Sequence, residues 1–270
     1  MSFRLIKGVF APRLGRPDGD SVRFKPNNIN RVKGLKGKKI KIYKNSAGER
    51  SVQLRYEGID TMEKAAATPY SSDATKENMK LIGGPGNVNQ PDTTGYILTR
   101  RGGPNNRPIC FVYAGTTSES DGSSVYLDVA RMKQSVNYKL LLRGHAYPMF
   151  YNTLFADLRE PMADAVVRAW QDDKGVWAVD RTMTGVTFSG EASLDDMPPI
   201  FPKLWRRLKE WAAHKSTLNG FIDWLAAKNE HTEIIYSAHD GQFEDVVQVS
   251  GNQVWMTEWP EDLKFRSQGT

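Results

Sequence analysis

RYEGIDTME (Arg55 to Glu63), taken together with DGDSV (Asp18 to Val22) upstream of it, decides how this chain is read. Val52, Leu54 and Tyr56 alternate with polar residues on the way into the first string, and Val22 and Phe24 do so on leaving the second. That two-residue period belongs to half-buried strands. Each alternation meets a glycine or another turn-permissive residue, so Asp18, Asp20, Asp60 and Glu63 stand at strand ends. Acids fixed at the ends of sheet strands hold hard oxygen ligands accurately around a cation such as Ca2+. Arg55, on the strand that leads to Asp60, can aim its planar fork at a phosphate beside such an ion.

Further along, RPICFVYAG (Arg107 to Gly115) starts an apolar strand with an arginine. These three motifs together resemble those of the thermonuclease family, the staphylococcal-nuclease-like OB-fold enzymes, over residues 1–180. The resemblance implies a five-stranded OB-fold β-barrel with packed helices, and a nuclease that hydrolyses phosphodiester bonds in DNA and/or RNA to leave 3′-phosphate ends. It further implies a metal site made by Asp20, Asp60 and the Thr61 carbonyl, holding Ca2+ or, in its place, Mg2+ or Mn2+. Arg55 and Arg107 correspond to the phosphate-clamping arginines, and Glu63 to the glutamate that orients or deprotonates the attacking water. Asp18 is expected behind the ligands, in the turn. VNYKLLLRGHAY (Val136 to Tyr147) and LREPMADAVVRAWQDDKGVWAVD (Leu158 to Asp180) look like the family's last two helices. Departures are Ser21 in place of the common threonine, Met62 in place of the usual proline, and GGPNN (Gly102 to Asn106) where a lysine and a tyrosine precede the second arginine. The nucleotide pocket is therefore expected to draw on the cluster Tyr147, Phe150 and Tyr151, with Tyr147 and Tyr151 contacting nucleic acid.

The composition agrees with such a substrate in sign. A net charge of +6 and a pI near 9.2 suit a polyanion. The charge is concentrated in NRVKGLKGKKIKIYKN, where Lys36, Lys38 and Lys39 sit among other cations with no acid. This run is either a solvated hairpin edge that discourages aggregation or a phosphate-tracking arm. Apolar content of 39% and charged content of 25% describe an ordinary globular chain, and no apolar run is long enough for a bilayer. No membrane association is expected, and the absence of an apolar leader core in MSFRLIKGVFAP points to the cytoplasm. The lone Cys110 lies in an apolar strand and reads as a buried hydrophobe. His145, His214, His231 and His239 have no ligand spacing.

KIKIYKNSAGERSVQLRYEGI alternates on both sides of NSAG, the signature of a hairpin. Ser71 or Ser72 is expected to cap a short helix that stops at Gly83, and the Gly- and Pro-rich stretch after it is expected to be a loop. Strands are expected around 96–100 and 109–113.

Residues 181–270 fall outside the resemblance and read as a C-terminal extension of two helices and a hairpin. Phe201, Leu204, Trp205, Leu208 and Trp211 recur at spacings of three and four, which predicts an amphipathic helix. STLNGFIDWLAAKN predicts a second, capped by Ser216, and DVVQVSGNQVWMTEW a hairpin. The tryptophan stripe is either core or, beside Arg206, Arg207 and Lys209, a surface for stacking on bases. Two other functions remain open: a catalytically weak or inactive OB-fold module that binds nucleic acid or protein, and a nuclease effector regulated through its C-terminal module, which could also recruit a protein partner.

Overall fold

Ser2–Phe10 runs through the middle of the largest sheet, because its alternating apolar side chains can be buried on one face. The computed structural model describes residues 2–63 and 69–267. On one side Ser2–Phe10 pairs antiparallel with Arg23–Pro26, and on the other with Thr93–Gly103. Thr93–Gly103 continues the sheet to Arg107–Ala114 in antiparallel register.

One segment then touches both margins of this array. Arg50–Gln53 pairs antiparallel with Arg23–Pro26, and after Leu54 the same chain, as Arg55–Tyr56, pairs in parallel with Arg107–Ala114. The side chains turned inward from these strands, among them Phe10, Phe24, Val52, Leu54, Ile97 and Phe111, are fully buried. The chain is of the mixed α+β class, with helices laid against this sheet and smaller sheets toward the C-terminus.

The expected hairpin around NSAG forms, with Tyr43–Lys44 paired to Arg50–Gln53 and Gly48 in the left-handed region at φ 82°. Of the lysine-rich run only its end, Tyr43–Lys44, forms the hairpin's edge strand. Lys36–Gly37 instead lies parallel to Arg101–Gly102. Helix Tyr70–Leu81 begins earlier than expected, at Pro69, and neither serine caps it; the Ser72 hydroxyl donates to the Pro69 carbonyl instead. Gly83, at φ 98°, follows its last turn as anticipated. Ser135 does cap Val136–Leu142, accepting from the Tyr138 amide at 3.2 Å. Helix Ala156–Gln171 packs on that helix.

The segment beyond 180 forms the two helices, Pro202–Ala212 and Phe221–Ala226, and the hairpin of Val247–Ser250 with Gln253–Met256. Ser216 does not cap the second helix, whose N-cap is Gly220. Trp205 and Trp211 are 2% and 4% exposed, so the stripe is core and not a stacking surface. Burying each such ring contributes roughly 2–3 kcal/mol.

This segment is seated directly on the rest of the chain. Leu263–Phe265 pairs in parallel with Phe150–Tyr151, and Trp259 stacks on Trp170 with centroids 5.3 Å apart. The apolar cluster is continuous across residue 180. No helix among the described residues is long and apolar enough to cross a membrane.

Candidate active site

The DGDSV turn closes on itself, with the Asp18 amide donating to the Ser21 carbonyl at 2.9 Å and the Gly19 amide to the Asp18 side chain at 2.8 Å. Gly19 is needed for close approach. A Cβ there would stand 2.7 Å from the Thr61 side chain and 2.8 Å from Ala74. The turn therefore rests directly on the residue that follows Asp60. A second tie comes from the Tyr56 amide, which donates to the Asp20 carbonyl at 3.1 Å and sets Asp20 beside Arg55.

Asn78, on helix Tyr70–Leu81, holds this junction from behind. Its amide nitrogen donates to the Asp18 carbonyl at 2.6 Å and its oxygen accepts from the Tyr56 hydroxyl at 2.8 Å. Asn78 is fully buried, so both bonds act in a medium that favours them. The sequence offers one signal for it, a polar residue on the inward face of a helix, which does not say what it holds.

Asp60 ends the short strand Ile59–Asp60, which pairs with Tyr147–Pro148. Asp60 and Thr61 are both buried. Electrostatics tie the site residues into one group. Burial, reinforced by the neighbouring Asp60 charge, pushes the Asp20 carboxyl up to about 7 against the pull of Arg55 and Arg107. Burial works against the Arg55 charge, but Asp60 and Asp20 more than offset it. Burial and the nearby Arg55 lower Arg107, while Asp20, Asp18 and Asp60 act the other way. Neither Arg55 nor Arg107 has a salt bridge among the described residues, and the Arg107 Nε is buried with no hydrogen-bond partner. Both guanidinium groups line one cleft with Glu63 and Tyr151.

The same cleft admits a residue that the sequence places only on a helix. Arg206 of Pro202–Ala212 reaches back so that its Nη2 donates to Asp60 Oδ2 at 2.5 Å and its Nη1 to Glu63 Oε1 at 2.8 Å and Asp60 Oδ1 at 3.3 Å. Its charge is stabilised by these acids in spite of burial. Beneath it, Lys203 and Arg207 grip Glu230, with Nζ to Oε1 at 2.5 Å and Nε to Oε2 at 2.7 Å. The helix is thereby anchored to the strand that starts at His231.

Asp18, Asp20, Arg55, Asp60, Thr61, Glu63 and Arg107 are thus brought together. Tyr147 is not available to a ligand: it is fully buried, lies 4.8 Å from the Trp177 ring, and donates its hydroxyl to Asp180 at 2.5 Å. Tyr151 is partly exposed and does line the cleft. Lys36, Lys38 and Lys39 are exposed and run beside the 101–106 segment, tied to it by Lys38 N to Gly102 O at 3.2 Å, but they are outside the cleft lining. Cys110 is buried, as expected.

No cluster of three or more His, Cys, Asp or Glu side chains fit for a metal occurs among the described residues. The acids whose charges act on each other are Asp20 and Asp60. Burial first and then the Asp60 charge disfavour the Asp20 carboxylate, a cost that a cation would relieve, and two carboxylates with the Thr61 carbonyl form a hard oxygen set suited to an ion that completes its shell with water. Comparison with known protein families and with curated proteins finds no match to this chain.

Proposed function

We propose that the chain is a metal-dependent nuclease, hydrolysing phosphodiester bonds in DNA or RNA, and that its main sheet is a five-stranded barrel of the OB type. Supporting the barrel, residues 50–56 are hydrogen-bonded to opposite margins of the same sheet, the pairing that closes a sheet on itself. The observation that carries the activity is the convergence of Asp20, Asp60 and Glu63 with two arginines that feel both aspartates yet form no salt bridge among the described residues.

Asp20, Asp60 and the Thr61 carbonyl would hold the ion, with Ca2+ favoured and Mg2+ or Mn2+ as substitutes. When bound, the ion supplies Lewis-acid polarisation of a phosphate oxygen. Glu63 orients the attacking water and takes its proton. Arg55 and Arg107 grip the non-bridging oxygens, where charge grows as the bond to the leaving oxygen breaks. The products expected are 3′-phosphate ends.

The Arg206 contacts favour the regulated form of this reading. Asp60 and Glu63 cannot serve an ion and a water while a guanidinium bonds to both, so the C-terminal module restrains the site until Arg206 moves. Incubation of the full chain with single- and double-stranded DNA and RNA tests the activity, with Ca2+, Mg2+, Mn2+ or chelator. Cleavage that depends on the ion and leaves 3′-phosphates is expected. No cleavage with any ion, together with tight binding, would leave the OB-type binding module as the better reading.

A further inference from the structure

The cleft that contains Arg55 and Arg107 is larger than one phosphate requires. Its volume is about 1030 Å³, at the top of the range of roughly 300–1,000 Å³ typical of small-molecule sites. It also continues well past the scissile position, onto the segment beyond residue 180.

Sheet register fixes where the next positive charge lies. Arg101 and Arg55 are both backbone partners of Ile109, one on each side of it. Their Cα atoms are therefore two strand spacings apart, about 10 Å, and directly paired residues project from the same face of a sheet. Arg101 has no salt bridge among the described residues; its Nη2 donates to Thr153 Oγ1 at 2.7 Å and to Ser267 Oγ at 3.3 Å. The two hydroxyls fix the guanidinium, and the acid that acts on its charge, Glu57, forms no salt bridge with it among the described residues. The acids of the lining are less free: Glu63 is held by Arg206, Glu230 by Lys203 and Arg207, and burial pushes the Glu57 carboxyl up against the pull of Arg101 and Arg55.

Beyond Arg101 the lining includes Lys228 and Arg266 from the C-terminal side. Their partners, Glu210 at 3.0 Å and Asp240 at 3.5 Å, are solvent-exposed, and such pairs exchange readily for a phosphate. Tyr151, half-buried between Arg55 and Phe265, offers a ring to a base.

We infer that this cleft is a track for single-stranded nucleic acid: Arg101, with Thr153 and Ser267, takes a phosphate next to the scissile one, and Lys228 and Arg266 take the strand as it leaves. The inference rests on the reading of nucleic acid as substrate and adds its strandedness and a part for the C-terminal module in holding it. Stacking on Tyr151 needs an unpaired base, which a single strand offers and an intact duplex does not.

Binding of a labelled 12-nucleotide single strand, followed by fluorescence anisotropy in chelator across a salt series, tests this without any turnover. Arg101→Ala and the double variant Lys228→Ala/Arg266→Ala should each weaken binding by roughly tenfold and make the salt dependence shallower by about one ion for each phosphate no longer neutralised. Arg101→Lys, which keeps the charge, should recover part of the affinity and thereby distinguish removal of a cation from a misfolded cleft. A duplex of the same sequence should bind more weakly than the single strand. Variants within twofold of the parent, a duplex that binds as well as the single strand, or equal displacement by polyglutamate would each overturn the track. Incubating the parent with the same strand and a divalent ion keeps the two readings apart. Binding without cleavage sinks the nuclease and leaves the track, and cleavage with unaltered variants does the reverse.

Discussion

Arg206 donates to Asp60 at 2.5 Å from 146 residues further along the chain, and its other nitrogen reaches Glu63 at 2.8 Å. A helix of the C-terminal segment thereby places its cation on the two acids to which the proposed function assigns the ion and the water. The pair is largely desolvated on the Asp60 side, which is 6% exposed, and so does not behave as a surface salt bridge.

Replacing Arg206 with alanine should therefore raise affinity for Ca2+ or Tb3+ by about tenfold or more, since a competitor worth at least ~1.4 kcal/mol is removed. Titration calorimetry or terbium luminescence reads this independently of cleavage. The same variant should be less stable in chelator, by roughly 1–3 kcal/mol, because Asp60 is left buried and unpaired. It should regain much of that on adding the ion. An unchanged metal affinity would show that the arginine does not compete for the site.

Glu63→Gln, Arg55→Ala and Arg107→Ala should each reduce cleavage by about a hundredfold or more, as expected for removal of a group worth ~3 kcal/mol in the transition state. Circular dichroism and melting should change little for Glu63→Gln, a near-isosteric change at a partly exposed position. A retained rate in either arginine variant would remove that residue from the clamp.

Gly19→Ala drives a methyl group into Thr61 and Ala74, with no flexible chain end to give way. We expect a stability loss of about 1–3 kcal/mol and weaker ion binding, since Asp20 and Thr61 are forced apart. Asn78→Ala should resemble it, because it leaves the Tyr56 hydroxyl and the Asp18 carbonyl without their partner. Urea melts with and without ion measure both. A glycine variant as stable as the parent would mean that the turn relaxes freely.

Glu230 gives the pH dependence. Although burial opposes its charge, the hydrogen bond from Arg207 and the charge of Lys203 hold its pKa down to about 2, against 4.5 ordinarily. The unfolded chain binds the proton more tightly, so this stabilisation is present above about pH 4.5 and is lost as pH falls from there toward 2. The loss is at most roughly 3 kcal/mol over that window. Glu230→Gln should flatten the melting temperature between about pH 5 and pH 2.5 relative to the parent; identical slopes would deny the network this role.

Much of the site can be read in the chain. Asp20, Arg55, Asp60, Glu63 and Arg107 stand at turns and strand ends that near neighbours dictate, and alternation about Val52 and Phe24 fixes which strands they end. The helix over Phe201 to Trp211 is equally legible from its period of apolar residues. Less legible are capping residues, since Ser71, Ser72 and Ser216 satisfy a local preference that Pro69 and Gly220 override. Tyr147 is misjudged from sequence because its position beside Phe150 and Tyr151 says nothing of Trp177 and Asp180, which enclose it.

By itself, then, the sequence determined the strand ends, the acids and guanidinium groups they carry, and the apolar face of each C-terminal helix, because periodicity and turn chemistry act over a few residues. Only the tertiary structure decided that Arg206 meets Asp60, that Tyr147 is sealed in, and that Arg101 shares a cleft with Lys228 and Arg266. The helical period sets Arg206 off the buried stripe but leaves open what it faces. That outcome depends on how the helix docks, through the Glu230 anchor and the Phe150–Tyr151 pairing with Leu263–Phe265, contacts between segments far apart in the chain.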